Sequence, residues 1–416
     1  MAMFIVTAIA RQRKTERMLG ILRKAAVVSG TAVLAIFVSV QGVAALAVDT
    51  PVPSVLKKFD PNAFPSIGTR LAQIQIVQQN FGEAEVTARH AATSNPMDVR
   101  AIRTLGLALE MGNKEDRARS AKLMRLAGRL SWRDTATSLW LLRDAAQRSD
   151  MVTLFDQIDA LARRQVKPAL TRQLFYAGTG DDPSREAFAN RLAKSPPWRG
   201  GFFADVRVNL SPSEIPNMIA LFNEMESTSA PASAEEKMNF IVRALDAGAA
   251  VSAKQFWIRS FAIPRNMANQ RPFDPDLTSL QSRSKSTLVS PFEWSIGPDA
   301  TPYVTFHKAT DGVAVQINPG APGRTVLLEQ TLVLPPSRYE ISSIVEGQVR
   351  QSPAEWQIYC TQMSSPLIRT FKHSGQVLSD IEFTVPGQNC DSQRLVLAAR
   401  QRTNSQPISI SRVTLR

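Results

Sequence analysis

The chain offers few side chains with the reactivity to do chemistry. Cys360 and Cys390 are its two cysteines, and His90, His307 and His373 its three histidines, all far apart in sequence. Neither cysteine belongs to a CxxC pair or has a histidine close by, so nothing points to a redox or nucleophilic thiol. The chemistry they fit is a structural bridge, which in an oxidising compartment would close a loop of about 30 residues; two separate buried thiols are the alternative. There is no GxSxG, no HExxH, no phosphate-cradling glycine loop and no dinucleotide fingerprint. Asp181 and Asp182 could share acid–base work, but they follow Gly178-Thr179-Gly180 and precede Pro183, where helix capping accounts for them. Glu355 and Glu382 would make a glycosidase pair only if something fixed their separation, and each alternates outward beside an apolar strand. The expectation is a protein without catalytic residues, metal or cofactor.

Binding chemistry is better represented. Arg119, Lys122, Arg125, Arg129 and Arg133 share one arc of a helical wheel, while Leu123, Met124, Ala127 and Leu130 share a separate, core-facing arc. Such a stripe suits an anionic partner, namely an acidic polysaccharide, a phospholipid surface or an acidic protein, and it equally suits a solvated outer face. Among Trp294, Tyr303, Phe306, Tyr339, Trp356, Tyr359 and Phe371, a surface ring could stack on a sugar. Trp356 shares a strand face with Ile358 and Cys360 and reads as core. Tyr359 points the other way and is the candidate glycan contact.

These groups must be positioned by something, and composition bounds what. The chain has 416 residues, 44 % hydrophobic and 20 % charged, with 26 prolines and 20 glycines. That is ordinary globular usage, enough for two to three folding units and unlike a disordered, collagenous or multi-span membrane chain. Arg11, Arg13, Lys14, Arg17, Arg23 and Lys24 stand against Glu16, and the apolar run Ala25–Val40 follows, ending in the small-x-small triplet Ala45-Leu46-Ala47. This is the build of a secretory signal cleaved after Ala47, with Met18 able to open a leader of conventional length. Residues 25–47 are also long enough to span a bilayer, so an uncleaved inner-membrane anchor is the alternative. Either way residues 48–416 are expected outside the cytoplasm, periplasmic or membrane-tethered. Of the formal net charge of +13, the leader accounts for five and about +8 remains beyond it, most of that between residues 99 and 148.

Residues 48–65 hold four prolines early and read as a linker. From residue 66 to 264 apolar residues recur at three- and four-residue intervals, which is helix periodicity. Leu71-Ala72, Phe81-Gly82-Glu83-Ala84, Ala88, Ala91 and Pro96 form one unit, and Ala118 follows Ala84 by 34 residues with Leu105-Gly106 between. Gly106, Ala84 and Ala118 would let antiparallel helices approach closely. A third unit pairs Trp140-Leu141-Leu142 with Leu154, Ile158, Leu161 and Pro168. Over about residues 66–196 this resembles the tetratricopeptide repeat family, which implies an α-solenoid that holds another protein; a generic helical bundle is the alternative. Further on, Ser211-Pro212-Ser213-Glu214 and Ser233…Glu236 read as capping boxes, and Val251–Phe261 as a helix closed by Pro264. Residues 265–290 turn to Pro, Asn, Asp, Ser and Arg, and read as a second linker.

Beyond Pro291 the period becomes two. Trp356–Cys360, Ile381–Val385, Leu395–Ala399 and Ile408–Ser411 alternate, with turns at Pro319-Gly320, Pro335-Pro336-Ser337 and Pro386-Gly387-Gln388-Asn389. About eight short strands over 291–416 predict an antiparallel β-sandwich or jelly roll. The proline turn before Tyr339, the Trp356–Cys360 strand and the closing Phe383–Leu397 stretch resemble galactose-binding-like and carbohydrate-binding-module sandwiches. Together the two resemblances imply a non-catalytic envelope scaffold linked to surface or exopolysaccharide assembly or export, binding an envelope protein through its helices and polysaccharide through its sandwich, with no nucleic acid. A purely structural assembly factor is the alternative.

Overall fold

The computed structural model describes residues 65–282, 288–309, 312–348, 352–362, 367, 378, 381–400 and 404–416. The expected leader, its cleavage position at Ala47, the linker up to residue 64, and Phe371 and His373 lie outside these residues. Among the described residues fourteen helices precede two antiparallel sheets, and no helix is long and apolar enough to cross a membrane. The chain divides into two compact units, after Trp198 rather than at the helix-to-strand change.

The first unit is a run of antiparallel helices: α1 (Pro65–Val77), α2 (Phe81–Ser94), α3 (Val99–Gly112), α4 (Arg117–Leu130), α5 (Thr135–Gln147), α6 (Met151–Arg163), α7 (Pro168–Ala177) and α8 (Asp182–Leu192). Odd-numbered helices start every 33–36 residues, so the repeating unit is a helix pair. Starts are set by aspartates: Asp98, Asp134, Asp150 and Asp181 each accept a bond from a backbone N–H of the first turn. Asp181 is thus a cap, as its neighbours imply. The bonds from the Thr153 backbone and hydroxyl, helped by the nearby Arg148 and Arg125 charges, hold the Asp150 carboxyl below its ordinary pKa.

Close packing follows the small residues. A Cβ on Gly106 would fall 2.9 Å from Met124 Sδ, and one on Gly128 would fall 2.5 Å from Leu141 Cδ1. Ala84 is buried as expected, but Ala118 is exposed. A 3₁₀ turn, Lys114–Asp116, lengthens the connection before α4, so α4 starts 36 residues after α2 and Ser120 takes the buried place. Toward the end of the unit aromatic rings replace small residues: Phe155 and Phe175 stack on Phe188 at 5.1 and 5.5 Å, and Trp198 on Phe175 at 4.3 Å.

The second unit begins with α9 (Arg199–Asn209), α10 (Ile215–Glu226), α11 (Ala234–Asp246) and α12 (Ala250–Ser260), packed around Phe203, Phe222, Phe240 and Phe256. Both expected capping boxes are present, at Ser211/Glu214 and Ser233/Glu236. Two short helices follow, α13 (Arg265–Ala268) and α14 (Thr278–Ser282). The reading of 265–290 as a linker is corrected by its described part, which is strapped onto the strands. Asp276 and Pro275 carbonyls accept from Val313 and Val413, and Arg271 from Leu415. Trp294 Nε1 donates to the Asp274 carbonyl, and the buried Gln330 amide brackets Phe273. Polar composition misled here because Pro272, Leu277 and Leu280 supply the buried anchors between the polar residues.

Among the described residues nine strands build the sandwich: β1 (Ser295–Ile296), β2 (Val304–Ala309), β3 (Gly312–Ile317), β4 (Val326–Leu332), β5 (Ser337–Gly347), β6 (Ala354–Cys360), β7 (Ile381–Val385), β8 (Gln393–Ala399) and β9 (Ile408–Leu415). One sheet has the order β1-β4-β8-β6 and the other β2-β3-β9-β5-β7. From β3 onward consecutive strands alternate between the sheets, the winding of a jelly roll. Inward residues of both sheets, among them Trp356, Ile358, Val315, Ile341 and Phe383, share one core. Gly297 touches the backbone of β4: a Cβ there would lie 1.9 Å from the Val326 carbonyl oxygen. Gly297→Ala is expected to cost about 1–3 kcal/mol of sandwich stability, read as a lowered urea midpoint.

Candidate functional site

The outer face of the four-stranded sheet is the place where the sandwich combines an aromatic ring with ordered polar groups. The β6–β8–β4 register aligns Tyr359, Arg394 and Thr331 in one row, Gln357, Val396 and Glu329 in the next, and Glu355, Ala398 and Val326 in a third. Alternation sends Trp356, Ile358 and Cys360 into the core and therefore turns Glu355, Gln357 and Tyr359 out, each half-exposed. The Tyr359 hydroxyl donates to Gln357 Oε1, and Gln357 Nε2 donates to Glu355 Oε1 at 2.9 Å. Arg400 lies 3.6 Å from Glu355 and closes the series, while Arg394 Nε donates to Glu329 at 2.6 Å. The result is a half-exposed ring with donors and acceptors alternating along β6, beside the buried Val396 and Ala398 of the second and third rows. Such a face can stack on a pyranose ring and hydrogen-bond its hydroxyls.

Most other aromatic candidates are core. Trp294 and Trp356 are fully buried with ring centroids 6.0 Å apart. Tyr339 is buried and donates its hydroxyl to the Pro335 carbonyl, and Tyr303 and Phe306 pack half-buried on the same core. Glu382 projects from the five-stranded sheet, paired with Arg338, whereas Glu355 projects from the other sheet's outer face. The two carboxylates stand on opposite sides of the sandwich and cannot flank one bond.

Cys360 and Cys390 form a disulfide, S–S 2.02 Å and Cα–Cα 4.9 Å, joining the end of β6 to the turn before β8. Gln393, fully buried, supports that turn by donating to the Cys390 carbonyl and accepting from Leu334 N–H. A cleft of about 500 Å³ opens beside Cys390, between the start of α12 and the turns at 333–336 and 386–391. Its walls are mostly backbone, proline and small apolar side chains, with Asp391 the charged group among them.

The five residues of the basic stripe divide into two that have carboxylate partners and three that are exposed without one among the described residues. Arg119 pairs with Asp116 at 3.1 Å and Arg125 with Asp144 at 3.1 Å, a carboxylate that Arg148 shares. Lys122, Arg129 and Arg133 are exposed, and no carboxylate partner is found for them among the described residues. The division follows the architecture. α4 runs from the end of the helical array that carries Glu115, Asp116, Asp150, Asp181 and Asp182 to the end formed by the α2–α3, α4–α5 and α6–α7 turns. At this second end Asp98 and Asp134 are occupied as caps, and Asp134 also pairs with the buried Arg103.

Sequence reasoning missed the residue that stands out there. Trp132 is 52 % exposed, with the Arg133 and Arg164 guanidiniums 5.3 and 6.0 Å from its ring centre. It sits in a turn, off any helical stripe, so no periodicity marks it. The signal that could have found it is position: Met97, 70 % exposed, occupies the corresponding turn one helix pair earlier. Arg164 is tied to the Ala160 carbonyl at 2.8 Å, to the Arg133 carbonyl and to Thr135 Oγ1, and its partial burial lowers its pKa.

Comparisons with known proteins add little to this geometry. No family model matches the chain, and no curated protein matches it. A chain in the crystal structure of accessory secretory protein 1, 2 and 3 of Streptococcus pneumoniae aligns with 29 % of this chain and 90 % of its own length, at 14 % identity and a TM-score of 0.23. A superposition that loose carries no argument about either molecule's role.

Proposed function

We propose that the protein is a non-catalytic, exported binding scaffold of the cell envelope, tied to the assembly or export of a surface polysaccharide. The observation that carries this reading is the Tyr359–Gln357–Glu355 series along the outer face of β6, a half-exposed ring beside alternating donors and acceptors. The helix pair recurring every 33–36 residues supports a tetratricopeptide-type array, whose use is to hold another envelope protein. The disulfide supports an oxidising, extracytoplasmic location, in keeping with the secretory leader read at residues 1–47. The residues named take no part in bond-making; they hold ring and hydroxyls.

A glycan array that includes neutral and acidic polysaccharides tests this. The intact protein is expected to retain a subset of glycans, and Tyr359→Ala to lose them by about tenfold, the worth of one stacked ring plus its hydroxyl. No retention at all would favour a structural assembly factor. That second reading has its own support in Trp257 of α12, whose ring packs 5.0 and 5.4 Å from Phe273 and Phe292 and leaves those aromatics to packing.

A further inference from the structure

One end of the helical array is unlike the rest of its surface. The turns there present Met97 and Trp132, and around them stand Arg129, Arg133, Lys167 and Lys194, all exposed and without a carboxylate partner among the described residues. Trp132 is the one exposed ring among the six tryptophans: Trp140, Trp257, Trp294 and Trp356 are buried and Trp198 is half-buried. The opposite end carries carboxylates, and its Arg119, Arg148 and Arg185 pair with Asp116, Asp144 and Asp182. The array is therefore electrically polarised along its helix axes: Trp132 and Met97 protrude on the positive end, while Val77, Met111 and Val152 protrude on the acidic one, so among the described residues only the positive end joins an exposed indole to cations without a carboxylate partner.

We propose that this end docks on an anionic phospholipid surface, Trp132 and Met97 entering the headgroup region while Arg129, Arg133, Lys167 and Lys194 meet lipid phosphates. A tryptophan and a thioether on turn tips, with cations on the same end of the array, is the amphipathy of a membrane interface, where an indole sits at headgroup level and arginine or lysine finds phosphate. Chain geometry favours a lipid surface over a soluble polyanion. Helix α1 starts at this same end, and the apolar run 25–47 lies seventeen residues before Pro65. Seventeen residues reach at most about 60 Å, so a retained anchor would keep this end within reach of the bilayer. The proposal rests on the export reading for the identity of the membrane, but lipid binding in vitro is decided independently of any glycan.

The test uses the protein as recovered from the producing cell, with whatever leader it retains. Vesicles of phosphatidylcholine alone are compared with vesicles containing phosphatidylglycerol, each with and without brominated acyl chains. Tryptophan emission should be quenched by bromolipid in the anionic vesicles, and Trp132→Phe should remove that quenching while the buried tryptophans stay silent. Arg129→Gln, Arg133→Gln and Lys167→Gln combined should lower the partition into anionic vesicles roughly a hundredfold, and added salt should imitate it. Equal partition of the wild type and the triple variant, or quenching that persists in Trp132→Phe, overturns the proposal. So does binding of a soluble polyuronate through these residues with indifference to phosphatidylglycerol, which would make the patch a polysaccharide site.

Discussion

Replacing Cys360 and Cys390 together by alanine is expected to lower the unfolding free energy of the sandwich by about 3–4 kcal/mol. The figure is the chain-entropy value for a loop whose ends are 30 residues apart. The bridge acts at a place the sheet alone secures poorly. Among the described residues β8 is the one strand paired with β6, Leu367 N–H adds a bond to the Ile358 carbonyl, and Cys360 is the last residue of β6. Cys390 belongs to a turn in which Asn389 adopts a left-handed φ of 57°, a conformation that asparagine tolerates and most residues resist. Without the bridge, the turn would hold its place through the Gln393 bonds to Cys390 and Leu334. Urea unfolding followed by near-ultraviolet circular dichroism, which the Trp294–Trp356 pair should dominate, reads the sandwich separately from the helices. An unchanged midpoint in the double variant, or in reduced wild type, would contradict the account.

In the helical unit the largest expected single-residue effect is at Asp134, where Asp134→Ala should cost about 3–5 kcal/mol. Asp134 does two things at once. It caps α5 by accepting from Thr137 N–H at 3.0 Å, and it neutralises Arg103, whose side chain is only 8 % exposed. Removing the carboxylate leaves a buried guanidinium without its counter-charge, and its Nε already lacks a partner. Asp134→Asn keeps much of the cap and isolates the charge effect. Far-ultraviolet circular dichroism should report the loss in both variants, the alanine one being the larger. Asp134 also stands beside the turn bearing Trp132 and Arg133, so where the fold survives Asp134→Asn, which keeps much of the cap and removes a negative charge, should bind anionic vesicles at least as well as the wild type.

How far the sequence speaks depends on which physical signal a residue carries. Trp356, Ile358 and Cys360 were legible as inward because a period of two leaves no other arrangement, and the same alternation exposes Tyr359. Both serine–glutamate capping boxes were legible because their bonds span three residues. Ala118 is exposed where a 34-residue period predicts burial, because a 3₁₀ turn shifts the repeat by two residues without leaving a periodic trace. The basic stripe was visible as charge, yet its division was not: Asp116 lies three residues from Arg119 but Asp144 is nineteen from Arg125, and only folding makes the second a pair. The strap at 271–280 and the brackets made by Gln330 and Gln393 were illegible for the same reason, since a glutamine in a strand looks like a surface residue until its backbone partners are known. Trp132 was overlooked because turns have no period to violate.

The claim on which the rest depends is that the folded chain resides outside the reducing cytoplasm with its sandwich bridged. Acid-quenching living cells of the producing organism and tagging free thiols with a maleimide-linked polymer measures this directly. The account predicts no added mass on the protein until a reductant is supplied, and then two tags, at Cys360 and Cys390. Two tags in the untreated sample, with the protein folded, would contradict it.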